Sequence, residues 1–281
     1  MKTIGFGVAA ALLLIAMQAA AQVAVVEAVQ YPAWLERGGH AVALSPGTGL
    51  QPRDRIRTGS NARVQLKLAE GSAVKLGENA QLVIEKAEDR GIFRATLALI
   101  SGAFRFTTDT FRRRPRDVSI KVKNVTAGIR GTDLWGKSTE ARDLVCLLEG
   151  KITVGSQGHP TVTLDQRLDF YQKPRDGAPE VAKVDEKQIA QWAQETEISP
   201  DGPAARSGGT WRVLAAIFGA RDEALALNRT LRANGYPSEV IVTPSGGFIV
   251  QVAGLAGESE ARALMANLRN LKGVETPAVS Q

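Results

Sequence analysis

From Asn61 onward the hydrophobic and polar positions alternate. Ala62, Val64, Leu66 and Leu68 take one parity, and Arg63, Gln65 and Lys67 take the other. A period of two predicts a half-buried strand. Glu70-Gly71 reads as a turn, after which Ala73-Val74-Lys75-Leu76 resumes the pattern. Leu82 and Ile84, then Val118, Ile120 and Val122, then Ile152 and Val154 alternate with polar neighbours in the same way. Short strands at close spacing, punctuated by Gly turns, predict an all-β body. The periodicity is equally compatible with a sandwich, a roll or a β-solenoid.

The last seventy or so residues follow another rhythm. Trp211–Phe218 resembles Phe248–Leu255 at an offset of 37 residues, and the same offset relates Ala224 to Ala261 and Leu231 to Leu268. Each half reads as a strand followed by a helix. The stripes Ala224, Leu227, Leu231 and Ala261, Leu264, Leu268 mark the buried helix faces. Glu239–Val242 adds a strand, and Val274 begins a possible counterpart. The expected unit is α+β, one sheet backed by two helices. Strand alternation turns Val213, Ala215, Val250 and Val252 toward the helices and places Arg212, Leu214, Ile249 and Gln251 on the open face. Trp211 and Phe248 share the parity of Val213 and Val250, which points to core or sheet-edge packing.

Between these parts, residues 176–209 are rich in Asp, Glu, Pro, Gly and Ala, as connectors are. Asp185 is a plausible N-cap for a short helix whose Ile189, Trp192 and Ala193 share one face. That face would dock on the β body, and Pro200–Pro203 with Ser207-Gly208-Gly209 would then free the C-terminal part. At the other end, Lys2, the apolar run Ile4–Ala16 and Ala19-Ala20-Ala21 have the layout of a signal peptide cleaved after Ala21. The uninterrupted run falls short of the ~20 residues that span a bilayer. No Cys follows it to carry a lipid anchor, and no later segment is long and apolar enough to span. The expected layout is a signal peptide at 1–21, a β domain at 22–175, an acidic linker with a short helix at 176–209, and an α+β domain at 210–281. The mature protein is expected in the periplasm.

Charge separates these parts further. The net charge of +6 conceals +8 over residues 22–175, −4 over 176–209 and +1 over 210–281. A basic protein invites a nucleic-acid reading, but aromatics are only 5% and export argues against it. The sharpest cluster is Phe111-Arg112-Arg113-Arg114-Pro115-Arg116. It reads as a solvated loop, or as a contact of Arg112, Arg113, Arg114 and Arg116 with an anionic envelope surface. One cysteine and two histidines exclude a disulfide framework within the chain and a cysteine zinc cluster, and no metal or cofactor is expected. Cys146, within Leu144–Leu148, reads as a small buried hydrophobe, and His40 and His159 as loop residues.

Several segments then resemble known families. Pro52–Gly59, Ala69-Glu70-Gly71-Ser72, Gly128-Ile129-Arg130-Gly131-Thr132 and Leu148-Glu149-Gly150, in that order, resemble the landmarks of the FecR-type periplasmic domain over residues 24–172. Gly128 and Gly131 suit positions of positive φ or close backbone approach, and Arg130 reads as a bracing side chain. The cytoplasmic segment and membrane span of FecR regulators have no counterpart here, so their signalling role does not follow from the resemblance. The internal repeat at 210–281 resembles the SPOR domain. That resemblance implies a four-stranded antiparallel sheet backed by two helices, and binding of peptidoglycan glycan stripped of its peptides.

The residues can be matched to that ligand. Arg212 could pair with a muramic acid carboxylate, Gln251 could hydrogen-bond an acetamido group, and Leu214 or Ile249 could pack beneath a sugar ring. The first expectation is therefore a non-catalytic envelope protein that binds glycan strands, with the β domain as scaffold or as the site for another envelope protein. Leu214 and Ala216 depart from the SPOR pattern and motivate a second reading, a protein-interaction or signalling module without glycan affinity. A third, enzymatic reading would need Asp133, Glu149 or Asp169 to converge as a carboxyl pair. Sequence spacing gives no sign that they do, and no nucleophile–base or metal motif accompanies them.

Overall fold

A computed structural model describes residues 22–108 and 115–281. The expected signal peptide at 1–21 and Arg112, Arg113 and Arg114 lie outside the described residues, as does the side chain of Arg130. Among the described residues no helix is long and apolar enough to cross a membrane.

The chain is mostly β. Its first part runs through β1 (Ala24–Gln30), β2 (Ala33–Arg37), β3 (His40–Ala43), β4 (Gly49–Leu50), β5 (Arg55–Thr58), β6 (Arg63–Leu68), β7 (Ala73–Leu76) and β8 (Gln81–Arg90). Then follow β9 (Ile92–Thr107), β10 (Arg116–Val122), β11 (Val125–Ser138), β12 (Arg142–Ser156), β13 (Val162–Leu164), β14 (Asp169–Pro174) and β15 (Glu180–Lys183). The chain continues as α1 (Glu186–Thr196), β16 (Ala204–Arg206), β17 (Trp211–Phe218), α2 (Arg221–Ala233), β18 (Glu239–Val242), β19 (Phe248–Leu255), α3 (Glu258–Leu268) and β20 (Ala278–Ser280).

Alternation does what the pattern requires. In β6, Val64, Leu66 and Leu68 are buried while Arg63, Gln65 and Lys67 are half-buried. The long strands wrap the sheet around a core. The first half of β9 lies between β8 and β10, and its second half between β7 and β11. The β9–β10 pair is parallel, whereas the others around it are antiparallel. The bulges in β11 between Arg130 and Leu134 let that strand leave β10 and join β9, and Gly131 there takes φ +63°. Phe93, Phe104, Phe106 and Leu134 fill the interior.

Two sequence landmarks brace turns through buried carboxylates. Asp54, 1% exposed, accepts hydrogen bonds from Arg37 at 2.7 and 2.6 Å and from the Gln51 amide at 2.7 Å. Glu70, fully buried, accepts from the Ser72 amide at 2.6 Å.

The connector is structured throughout its middle. β15 pairs with β14. Asp185 caps α1, accepting from the Gln188 amide at 2.8 Å. Trp192 lies flat on Trp135, with ring centroids 4.4 Å apart and planes 7° apart, and Phe170 meets it edge-on. Ile189 joins the same cluster, which also holds Ala103, so α1 covers the outer face of β9, β11 and β12. Where a free C-terminal part was expected, β16 pairs with β1 on one side and β19 on the other.

A seam of aromatic residues adds to that bridge. Trp34 donates its indole N–H to the Ala233 carbonyl at 3.1 Å, and the Tyr31 and Tyr236 rings lie 6.1 Å apart. Gly235, with φ +82°, sits so close to Trp34 that a Cβ there would lie 2.8 Å from the indole. The physical reason for the docking is burial: Tyr31 is 1% exposed and Tyr236 7% exposed.

Candidate functional site

Beyond the seam, β17, β18, β19 and β20 form an antiparallel arrangement in the order β18–β19–β17–β20. The repeat explains the helices on one side. Ala224, Leu227 and Leu231 of α2, and Ala261, Leu264 and Leu268 of α3, are buried against Val213, Ala215, Val250 and Val252. The other face of this sheet is the candidate site.

Register shows which of the expected residues meet there. Leu214 lies directly opposite Gln251, and Ile249 is the next residue of that parity along β19. Arg212 precedes Leu214 on the same face and lies opposite Ser280 of β20. All four therefore share the open face, but Gln251 differs from expectation in its exposure and partner. It is only 6% exposed, and its amide donates to the Glu239 carboxylate at 2.9 Å. Leu214 and Glu239 flank it in the register and cover it. One of its two amide N–H groups is thus already engaged, and Glu239 brings a negative charge to the face.

Two isoleucines complete the face. Strict alternation would place Ile217 with Val213 and Ala215, toward the helices. A bulge in β17 between Leu214 and Ala216 reverses the parity, so Ile217 lies opposite Ile249 and is 65% exposed. Ile241 lies opposite Ile249 from the other side and is 41% exposed. The result is an apolar row, Ile217–Ile249–Ile241, beside a mixed row in which Leu214 adjoins the polar pair Gln251–Glu239. Sequence periodicity carries no sign of a bulge at Ala215-Ala216, and the run Val240-Ile241-Val242 has no polar residue to reveal its phase.

The remaining candidates fall elsewhere. Arg116 is turned inward: its side chain is 11% exposed, lies 3.9 Å from buried Glu70 and donates to Ser72 Oγ at 3.1 Å. The expected contact of Arg116 with an outer anionic surface is replaced by an inner ion pair, because Glu70 presents a fully buried carboxylate beside it. Asp133 and Glu149 are register partners, yet Asp133 is held by Arg105 at 3.0 and 2.6 Å. That hydrogen-bonded pairing raises the pKa of Arg105 above its usual value. Asp169 lies 3.5 Å from Lys183 instead. Cys146 is fully buried between Trp135 and Phe170, and burial, with the charge of Asp169, pushes its thiol pKa up to about 12. Among the described residues no group of His, Cys, Asp and Glu could hold a metal ion.

Residues 54–153 match the family described as FecR protein, and the chain carries a FecR domain over this stretch. The match ends within β12, before the connector and the C-terminal sheet. Two crystal structures of a candidate anti-sigma factor from Parabacteroides distasonis, at 1.65 and 2.50 Å resolution, are similar to this chain. Each shares 12% identity at a TM-score of 0.42, covering 78% of this chain and 92% or 91% of the other. No curated protein matches the chain.

Proposed function

We propose that this is a non-catalytic binding protein of the bacterial cell envelope, exported to the periplasm by cleavage after Ala21. In this reading its C-terminal sheet is a SPOR-like domain that binds peptide-stripped glycan strands of peptidoglycan, and its FecR domain is the scaffold or the site for a protein partner. The observation that carries the reading is the open sheet face, with helices behind it and an apolar row beside the polar pair Gln251–Glu239. A sugar ring offers an apolar face to Ile217 and Ile249. An acetamido N–H can donate to Glu239, and Arg212 can pair with a muramic acid carboxylate.

The test is a pull-down of the full chain with sacculi, intact or stripped of peptides by an amidase. Stripped sacculi should retain the wild type more strongly than intact ones. Arg212→Ala should weaken retention roughly tenfold, the equivalent of one charge-assisted hydrogen bond. Equal retention on both kinds of sacculi, or none on either, refutes the glycan reading.

A second reading, a protein-interaction or regulatory module without glycan affinity, is favoured by two observations. These are the FecR domain itself and the engagement of Gln251 by Glu239. Crosslinking in cells that captures one envelope protein, with no sacculus retention, would select it.

A further inference from the structure

We infer that the outer face of the β body binds a neutral, extended glycan chain laid across its strands. Burial fixes which residues point outward. Leu97, Val118, Ala127, Ile152 and Leu164 face the core, so their neighbours Thr96, Ser119, Gly128, Thr153 and Thr163 face out. Register aligns these five with Lys86 of β8. Lys86 lies opposite Thr96, Thr96 opposite Ser119, Ser119 opposite Gly128, Gly128 opposite Thr153, and Thr153 opposite Thr163. At a strand spacing of about 4.8 Å, the row from β8 to β13 is roughly 24 Å long. α1 covers Ala103, Trp135 and Cys146 farther along these strands and leaves this row open.

The row is the floor of a trough. Two clefts of about 560 and 980 Å³ lie along it. The first is lined by Thr96 and Ser119 and the second by Gly128 and Thr153, and the two share Arg94 and Asp117. Gly128 is not at positive φ, so the backbone does not call for glycine there. Its missing side chain keeps the floor open, since a Cβ would lie 3.1 Å from Thr153 Oγ1. Thr153 and Thr163 are exposed, and Thr96 and Ser119 half-buried. Among the described residues their hydroxyls have no partner within the chain, so each is free to donate and to accept.

Spacing and charge together name the occupant. The distance between strands is close to the advance of one sugar unit in an extended β-linked glycan, so successive hydroxyls meet successive sugars. The cations beside the trough are already paired. Arg94 lies 3.5 Å from Glu88, Lys151 3.5 Å from Asp165, and Lys121 2.7 Å from Glu85. A polyanion would meet those carboxylates and Asp117, and a polycation would meet the guanidinium and ammonium groups. An ion pair offers a donor and an acceptor side by side, which is what a neutral sugar hydroxyl uses. Ile92, 39% exposed in the second cleft, gives a sugar ring an apolar contact. This site is separate from the C-terminal sheet and does not rest on glycan binding there.

The test is calorimetric titration of the full exported chain with two glucose hexamers, extended cellohexaose and coiled maltohexaose. Cellohexaose should bind at millimolar concentration or below, and maltohexaose about tenfold more weakly. Ser119→Ala combined with Thr153→Val removes two outward hydroxyls and should lower the affinity for cellohexaose about tenfold. Ser119→Ile fills the trough from an outward position and should abolish binding. Both variants should keep the circular dichroism and thermal midpoint of the wild type, because they change only the outer face of the strands. No binding of cellohexaose at millimolar concentration overturns the inference. So does equal affinity for the two hexamers, or an affinity for cellohexaose that survives both variants.

Discussion

The β body and the C-terminal sheet treat their outer faces differently. On the body, α1 and the residue after it lie across β7, β9, β11 and β12, stacking Trp192 on Trp135 and setting Glu195 and Glu197 against Lys137, Lys75 and Arg105 at 2.6–3.4 Å. The acidic connector thereby neutralises part of the body's positive charge within the molecule. On the C-terminal sheet no helix among the described residues covers the corresponding face, and Ile217 and Ile241 remain exposed. A covered face contributes to stability, whereas an uncovered one is available to a ligand or a partner. The two acidic residues near the C-terminal end of α1 oppose its dipole, so the three cations of the sheet, and not the helix itself, favour them.

Substitutions on the two faces should differ accordingly. Trp192→Ala removes the stacked ring and opens the cluster around Cys146. It should cost about 3 kcal/mol in urea unfolding, within the range for large aromatic truncations. The same variant should expose Cys146 to thiol reagents that leave the wild type unmodified. Glu197→Gln keeps the shape and removes a partly exposed charge shared by Lys75 and Arg105. It should cost about 0.5–1 kcal/mol at low salt, and the loss should shrink as salt is added. Ile217→Ser, on the open face, should change stability by less than about 0.5 kcal/mol. A large loss at Ile217 would mean that the C-terminal face is also structural, and the contrast between the sheets would fail.

Much of the body was legible in the sequence because a half-buried strand leaves a local trace. The alternation in β6 and the Asp185 cap of α1 each depend on residues a few positions apart. The docking face of α1, with Ile189 and Trp192 together, was legible for the same reason. The inward turn of Arg116 was not, because its partner Glu70 is distant in sequence. Nor was the structured connector: β16 is three residues long, and its sequence reads as a break until β1 and β19 flank it. At the candidate site, Arg212, Leu214, Ile249 and Gln251 were placed on one face by parity alone. Ile217 escaped because a bulge shifts parity without any change in composition. The burial of Gln251 depended on Glu239, a residue brought alongside by strand pairing.

The seam at Gly235 also bears on how the chain tolerates editing. Any side chain at position 235 would press on Trp34 and Pro32 in a backbone conformation that favours glycine. A chain that stopped short of this point would leave Tyr31 without its Tyr236 neighbour, and one that stopped before β16 would also leave Trp34 without the Ala233 carbonyl and β1 without the partner that β16 provides. Such a product would display an aromatic patch of the kind that drives aggregation. Premature termination or clipping ahead of Gly235 would thus yield a sticky remnant instead of a smaller working protein.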